Sequence, residues 1–236
     1  MAKKQTQQPN LQQIQVSSQD FNDTLLNRDI LLSDYALQEN VLLGIFEKYP
    51  NNTNLSEVLL KTTMLNTFYS TGILDIKSVS EHICNLANTR DIDARIKSGD
   101  PSVVNEIAKV NHNGKIICHL SFASKYCSFH NPDAYPIYDS IVWHAFTVLK
   151  KKGFLSIRPF SEQQIKADFK KYIDIYEHFI LISGINNITP KPNYKDVDRY
   201  LWGSQKIKKL PQNTPSIQNN LTQYNQIMNN TINKNV

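Results

Sequence analysis

The stretch Tyr135-Pro136-Ile137-Tyr138-Asp139-Ser140-Ile141-Val142-Trp143-His144-Ala145-Phe146 turns an extended apolar approach into a helix and sets one carboxylate at the junction. Pro136 has a fixed backbone angle and keeps the residue ahead of it out of helix, so the chain arrives extended. Beyond Asp139, residues Ile141, Val142, Ala145, Phe146 and Leu149 recur at helical spacing. An N-cap accounts for an aspartate at such a junction, because its oxygen accepts the free amide hydrogens of the first turn. The third residue on is Val142, which rules out a capping box. The preceding helix supplies a lysine that the same carboxylate could serve, so Asp139 is the first candidate for chemistry.

Outward from this junction the pattern is helical. Leu37, Val41, Leu42, Ile45 and Phe46 form one stripe, and Val58, Leu59, Thr62, Leu65, Asn66 and Tyr69 form another, with Ser33 and Ser56 near their starts. Shorter helices are predicted at about 76–87, 89–97 and 101–110, the last with Pro101 in its first turn. Ile116, Leu120, Ala123 and Cys127 share a face, which predicts a helix over about 115–129 with Lys125 on the opposite side. After the helix that follows Asp139 come a long one at about 162–183 and a last one at about 195–204. No long alternating pattern competes, so the expected fold class is all-α. The Gln-rich residues 1–19 and the Asn/Gln-rich residues 209–236 lack the apolar density that offsets ordering entropy and are expected to be disordered, leaving residues 20–208 as the helical domain.

Composition narrows the classes. A chain of 236 residues has ample length for a core. Its net charge of +5 and pI near 8.9 suit a polyanionic partner without requiring one. Cys84, Cys118 and Cys127 are scattered and follow no secretory signal, which points to a reducing cytoplasm. No run approaches the roughly 18 apolar residues of a membrane span, so no membrane partner is expected. His112, Cys118, His119, Cys127, His130 and His144 crowd one region, yet only Cys127 and His130 have a ligand-pair spacing. No metal site is therefore expected.

The segment Tyr135 to Asp139, followed by Ile141-Val142-Trp143-His144-Ala145, resembles the surroundings of the catalytic aspartate in helix-hairpin-helix DNA glycosylases, nearest the 8-oxoguanine glycosylase branch. Leu59-Leu60-Lys61-Thr62-Thr63-Met64-Leu65-Asn66 resembles that family's early helix, and Asp198-Arg199-Tyr200-Leu201-Trp202 is a weaker echo. The resemblance implies a two-lobed helical fold with a central cleft. It also implies excision of a damaged or modified base flipped out of double-stranded DNA, no cofactor, and a monomer. Asp139 would stabilise the cationic sugar as the base leaves, and a lysine amine or a water would attack. Two lysines bracket the family spacing: Lys115, and Lys125 with Ser121, Ser124 and Ser128 around it as small neighbours. Asn66 would hydrogen-bond the orphaned base, and Phe122 or Tyr126 would stack on the extruded one. Where the family has its Pro-Gly hairpin, this chain has His112-Asn113-Gly114-Lys115, so Asn113 and Gly114 stand at the expected DNA grip. The alternative reading is a non-catalytic helical DNA-binding or protein-interaction module on the same scaffold.

Overall fold

A computed structural model describes residues 15–155 and 161–207. Among the described residues there are eleven α-helices, one short 3-10 turn and one two-stranded hairpin. The order is α1 (Ser18–Leu31), α2 (Ser33–Lys48), α3 (Leu55–Tyr69), α4 (Ile76–Arg90), α5 (Ile92–Ser98), α6 (Ser102–Ala108), β1 (Lys109–His112), β2 (Lys115–Cys118) and α7 (Leu120–His130). Then follow α8 (Ser140–Lys151), α9 (Glu162–Ala167), α10 (Lys170–Ser183) and α11 (Tyr194–Ile207). The protein is mainly helical, as its stripes predict.

Local chemistry explains most of the starts. Ser17, Asn54, Asp75 and Asp139 each accept an amide hydrogen from the first turn that follows. Ser161 and Gln164 form a reciprocal capping box ahead of α9. The apolar faces meet in one core that includes Val58, Leu65, Ile83, Ile107, Phe146 and Tyr176, all fully buried. Burying a side chain such as Phe146 stabilises by about 1.5–3 kcal/mol. The last helix, α11, returns across the molecule to pack on α1 and α8, which brings the two ends of the described chain to the same cleft.

Three expectations need correction. The helix expected over 115–129 begins only at Leu120, because Lys115–Cys118 pairs antiparallel with Lys109–His112. Asn113 and Gly114 form the connecting turn with φ of 52° and 86°, and Asn-Gly is the pair that tolerates such angles in a tight hairpin. The helix expected over 162–183 is two helices. Asn105 of α6 divides them: its Oδ1 accepts the Phe169 amide at 2.7 Å, and its Nδ2 donates to the carbonyl of Lys166 at 3.0 Å. The expected disorder over 1–19 is overruled from Ser18 onward, where Ser17 caps α1 and Phe21 is buried. Residues 1–14 and the tail expected at 209–236 lie outside the described residues. Among the described residues no helix is long and apolar enough to cross a membrane.

Candidate active site

Helix α7 and the extended segment before α8 are clamped together by three side chains of one helix face. The Tyr138 amide donates to Ser124 Oγ at 2.9 Å, and Ser124 Oγ donates in turn to the Ser121 carbonyl at 3.2 Å. Lys125 Nζ donates to Ser121 Oγ at 2.8 Å and to the Tyr138 carbonyl at 3.3 Å. From the far side, the Tyr172 hydroxyl donates to the Ile137 carbonyl at 2.8 Å. These bonds fix the backbone on both sides of Tyr138, and so fix where Asp139 begins α8.

The two oxygens of Asp139 divide the labour that the sequence leaves open. Oδ1 accepts the Ile141 amide at 2.8 Å as an N-cap, while Oδ2 stands 3.6 Å from Lys125 Nζ. The lysine side chain is 2% exposed and the aspartate side chain 22% exposed. Capping and pairing with a lysine are therefore simultaneous. Burial lowers the Lys125 pKa from the ordinary lysine value, against the opposing pull of Asp139 and Asp198. Its ammonium also lies 5.6 Å from the centroid of the Tyr69 ring.

Both residues line a cleft of about 500 Å³. Its walls come from α2 (Tyr35, Gln38), the last turn of α3 (Thr67, Phe68) and α11 (Arg199, Trp202). Asp198 of α11 also lines it. Its Oδ1 is sealed from solvent without a hydrogen-bond partner among the described residues, although other parts of the residue remain partly exposed. Burial and the neighbouring Asp139 carboxylate raise the Asp198 pKa to about 7, against the pull of Lys125 and Lys195.

Beside these three groups lies an ionic cluster. Glu39 is 3% exposed, and three cations surround it: Arg28 at 2.7 Å, Arg199 at 3.1 Å and Lys195 at 3.2 Å. Burial works against the Glu39 charge, yet Lys195, Arg199 and Arg28 hold its pKa below the ordinary glutamate value. The cluster ties α1, α2 and α11 together on one side of the cleft.

The other residues singled out in the sequence are placed elsewhere. Lys115, Asn113 and Gly114 sit on the exposed β-hairpin and do not line this cleft. Phe122 and Tyr126 are 1% and 0% exposed, members of the core rather than of an open stacking surface. Tyr126 also spends its hydroxyl on Asn52 Oδ1. Asn66 adjoins the cleft-lining turn of α3, but its amide is engaged with the following loop: it donates to the Ile73 carbonyl at 3.0 Å and accepts from the Ile73 amide and the Thr71 hydroxyl. The His130 ring packs on Phe46 and Tyr126, and its Nε2 lies 3.4 Å from Lys61 Nζ. No cluster of three or more potential metal ligands exists among the described residues.

Glu39 and Arg28 carried no sequence signal, because an acidic residue beside an apolar stripe reads as an ordinary solvated face. Asp198 lay inside the Asp198-to-Trp202 echo, and a buried role could have been suspected from its neighbour Val197 and from Leu201, both on the packed face of α11.

Residues 13–134 match the sequence profile of the HI_0787 N-terminal domain family, which spans more than half of the chain. The chain belongs to that family. The matched region contains Lys125 and ends before Asp139. An uncharacterized protein of Haemophilus influenzae is 35% identical over 161 residues, covering 64% of this chain and 68% of the relative. No solved structure matches the chain.

Proposed function

We propose that this protein is a DNA glycosylase of the helix-hairpin-helix superfamily, divergent from the 8-oxoguanine branch, with abasic-site lyase chemistry on Lys125. The observation that carries the reading is the pairing of a buried lysine amine with a helix-capping carboxylate 3.6 Å away, both lining one cleft. A lysine can attack only as the neutral amine, and desolvation favours that form. A fixed carboxylate stabilises the positive charge that develops on the sugar carbon as the base departs. The resemblance of Tyr135 to Ala145 to the glycosylase segment supports the same assignment, with the two-lobed glycosylase fold as its scaffold.

In this reading a nucleotide is extruded from the duplex into the cleft, at a cost of about a few kcal/mol for unstacking. The cleft presents Phe68, Tyr35 and Trp202 as apolar and aromatic surface for it. Asp139 faces the developing cation, and the Lys125 amine bonds to the sugar carbon. The resulting Schiff base permits strand cleavage, a product that suits base excision repair and defence against modified foreign DNA alike.

The test is base release and borohydride trapping on duplexes carrying a panel of oxidised, deaminated and alkylated bases. Wild-type protein is expected to release one of them, Asp139→Asn to bind without releasing it, and Lys125→Ala to lose the covalent adduct. Lys115→Ala should trap as wild type does. A second reading, a DNA-binding module without catalysis, draws on one observation: a short exposed β-hairpin with an Asn113-Gly114 turn occupies the stretch that the sequence resemblance assigns to the DNA grip. It predicts duplex binding with no release from any substrate.

A further inference from the structure

Asp198 is a buried acidic group of the cleft whose role the proposed reaction leaves open. It enters from α11, packed against α8, and lines the same cavity as Lys125 and Asp139. Its Oδ1 is buried with no hydrogen-bond partner among the described residues, a costly state for a carboxyl oxygen. Asp139 is committed through Oδ1 to its helix, and Glu39 is saturated by three cations. Of these three carboxylates, Asp198 has an oxygen with neither a hydrogen bond nor an ion pair among the described residues, whereas Asp139 Oδ2 keeps its 3.6 Å ion pair with Lys125.

The groups that act on it come from every side. Lys125 and Asp139 face it from α7 and α8, Glu39 from α2, and Lys195 from its own helix. The phenols of Tyr69, Tyr172 and Tyr176 feel its charge from α3 and α10. Two cations and two further carboxylates thus bear on one carboxyl, and small changes in this set decide whether it holds a proton.

Resting on the glycosylase/lyase reading, we propose that Asp198 is the proton carrier for Lys125, taking the proton that the amine sheds as it bonds to the sugar and returning it to the oxygen that leaves. On an abasic site the step balances as follows. Lys125 Nζ adds to the open-chain aldehyde carbon, and the carbonyl electron pair moves to oxygen. The nitrogen loses a proton to the Asp198 carboxylate. The Asp198 carboxylic acid returns that proton to the alkoxide to give the neutral carbinolamine, and the second nitrogen proton then passes through the same carboxyl to the hydroxyl, which departs as water and leaves the imine. Asp139 keeps its place as the fixed charge opposite the sugar.

Full-length protein and a duplex with a single abasic site, trapped with cyanoborohydride, test this without knowledge of the excised base. Wild type should form the adduct at a rate that falls as pH drops through about 7, where the carboxylate form is lost. Asp198→Asn should be slower by about 100-fold, the lower range for a lost proton-transfer group, and its rate should show no inflection near neutrality. Asp198→Ser, smaller and likewise uncharged, should behave the same and serves if the Asn variant does not fold by circular dichroism.

Wild-type rate and pH profile in a folded Asp198 variant would overturn the inference and leave the glycosylase reading intact. So would free base released by wild type with no adduct on either substrate, since water would then be the nucleophile. Neither adduct nor base release from any duplex removes the glycosylase reading, and this inference with it.

Discussion

Lys125 Nζ reaches the Tyr138 carbonyl at 3.3 Å while standing 3.6 Å from Asp139 Oδ2, so the same ammonium holds the backbone that positions its own partner. Replacing Lys125 by Met keeps the volume but leaves Asp139 and the Tyr138 carbonyl without this partner, and breaking a buried ion pair from one side costs about 3–5 kcal/mol. Thermal unfolding of Lys125→Met is expected to show a loss below that full range, because Asp139 is 22% exposed and water partly compensates its charge. Adduct formation with an abasic duplex should be lost outright. Asp139→Asn retains a capping oxygen and should unfold like wild type, whereas Asp139→Ala should lose about 1 kcal/mol with the cap.

Asp198 gives stability a pH dependence of definite sign. Its pKa is raised in the folded protein to about 7 from an ordinary aspartate value of 3.8, so the folded state holds the proton more tightly than the unfolded chain. That contribution is fully present below about pH 4 and is lost as pH rises through about 7. Asp198→Asn should therefore flatten this fall. Urea unfolding at pH 5 and pH 8 is expected to show a smaller difference for the variant than for wild type, by on the order of a few kcal/mol.

Asn66 holds the loop after α3 through three hydrogen bonds, two to Ile73 and one from Thr71. Asn66→Ala should destabilise the protein by about 1–3 kcal/mol, because the Ile73 backbone groups lose their partners. Amide exchange should quicken first at residues 71–75. A direct contact with an orphaned base would instead appear as a changed preference for the base opposite the lesion, and that preference is expected to be unaltered.

Glu39 is the shared partner of Arg28, Lys195 and Arg199. Neutralising it in Glu39→Gln leaves buried cations uncompensated, and breaking a buried ion pair from one side costs about 3–5 kcal/mol. A loss of that size in chemical denaturation is expected. The loss should persist at high salt, because a buried cluster is screened much less than surface pairs.

The sequence by itself determined the helical class, most helix starts and Asp139 as a candidate with Lys115 or Lys125 as its lysine, because stripes, caps and the Pro136 approach are written within a few residues of where they act. It also carried the hairpin, in Asn113-Gly114, although the apolar face through Ile116 and Leu120 pointed to helix instead. Tertiary structure alone decided the break at Phe169, since the side chain responsible, Asn105, lies 64 positions away. It also decided which lysine enters the cleft, and it removed Phe122 and Tyr126 from the cleft into the core. The gathering of Asp198, Glu39 and Arg28 beside that lysine depends on α11 returning to α1 and α8. Burial and charge proximity are properties of packing between distant segments, and no local periodicity encodes them.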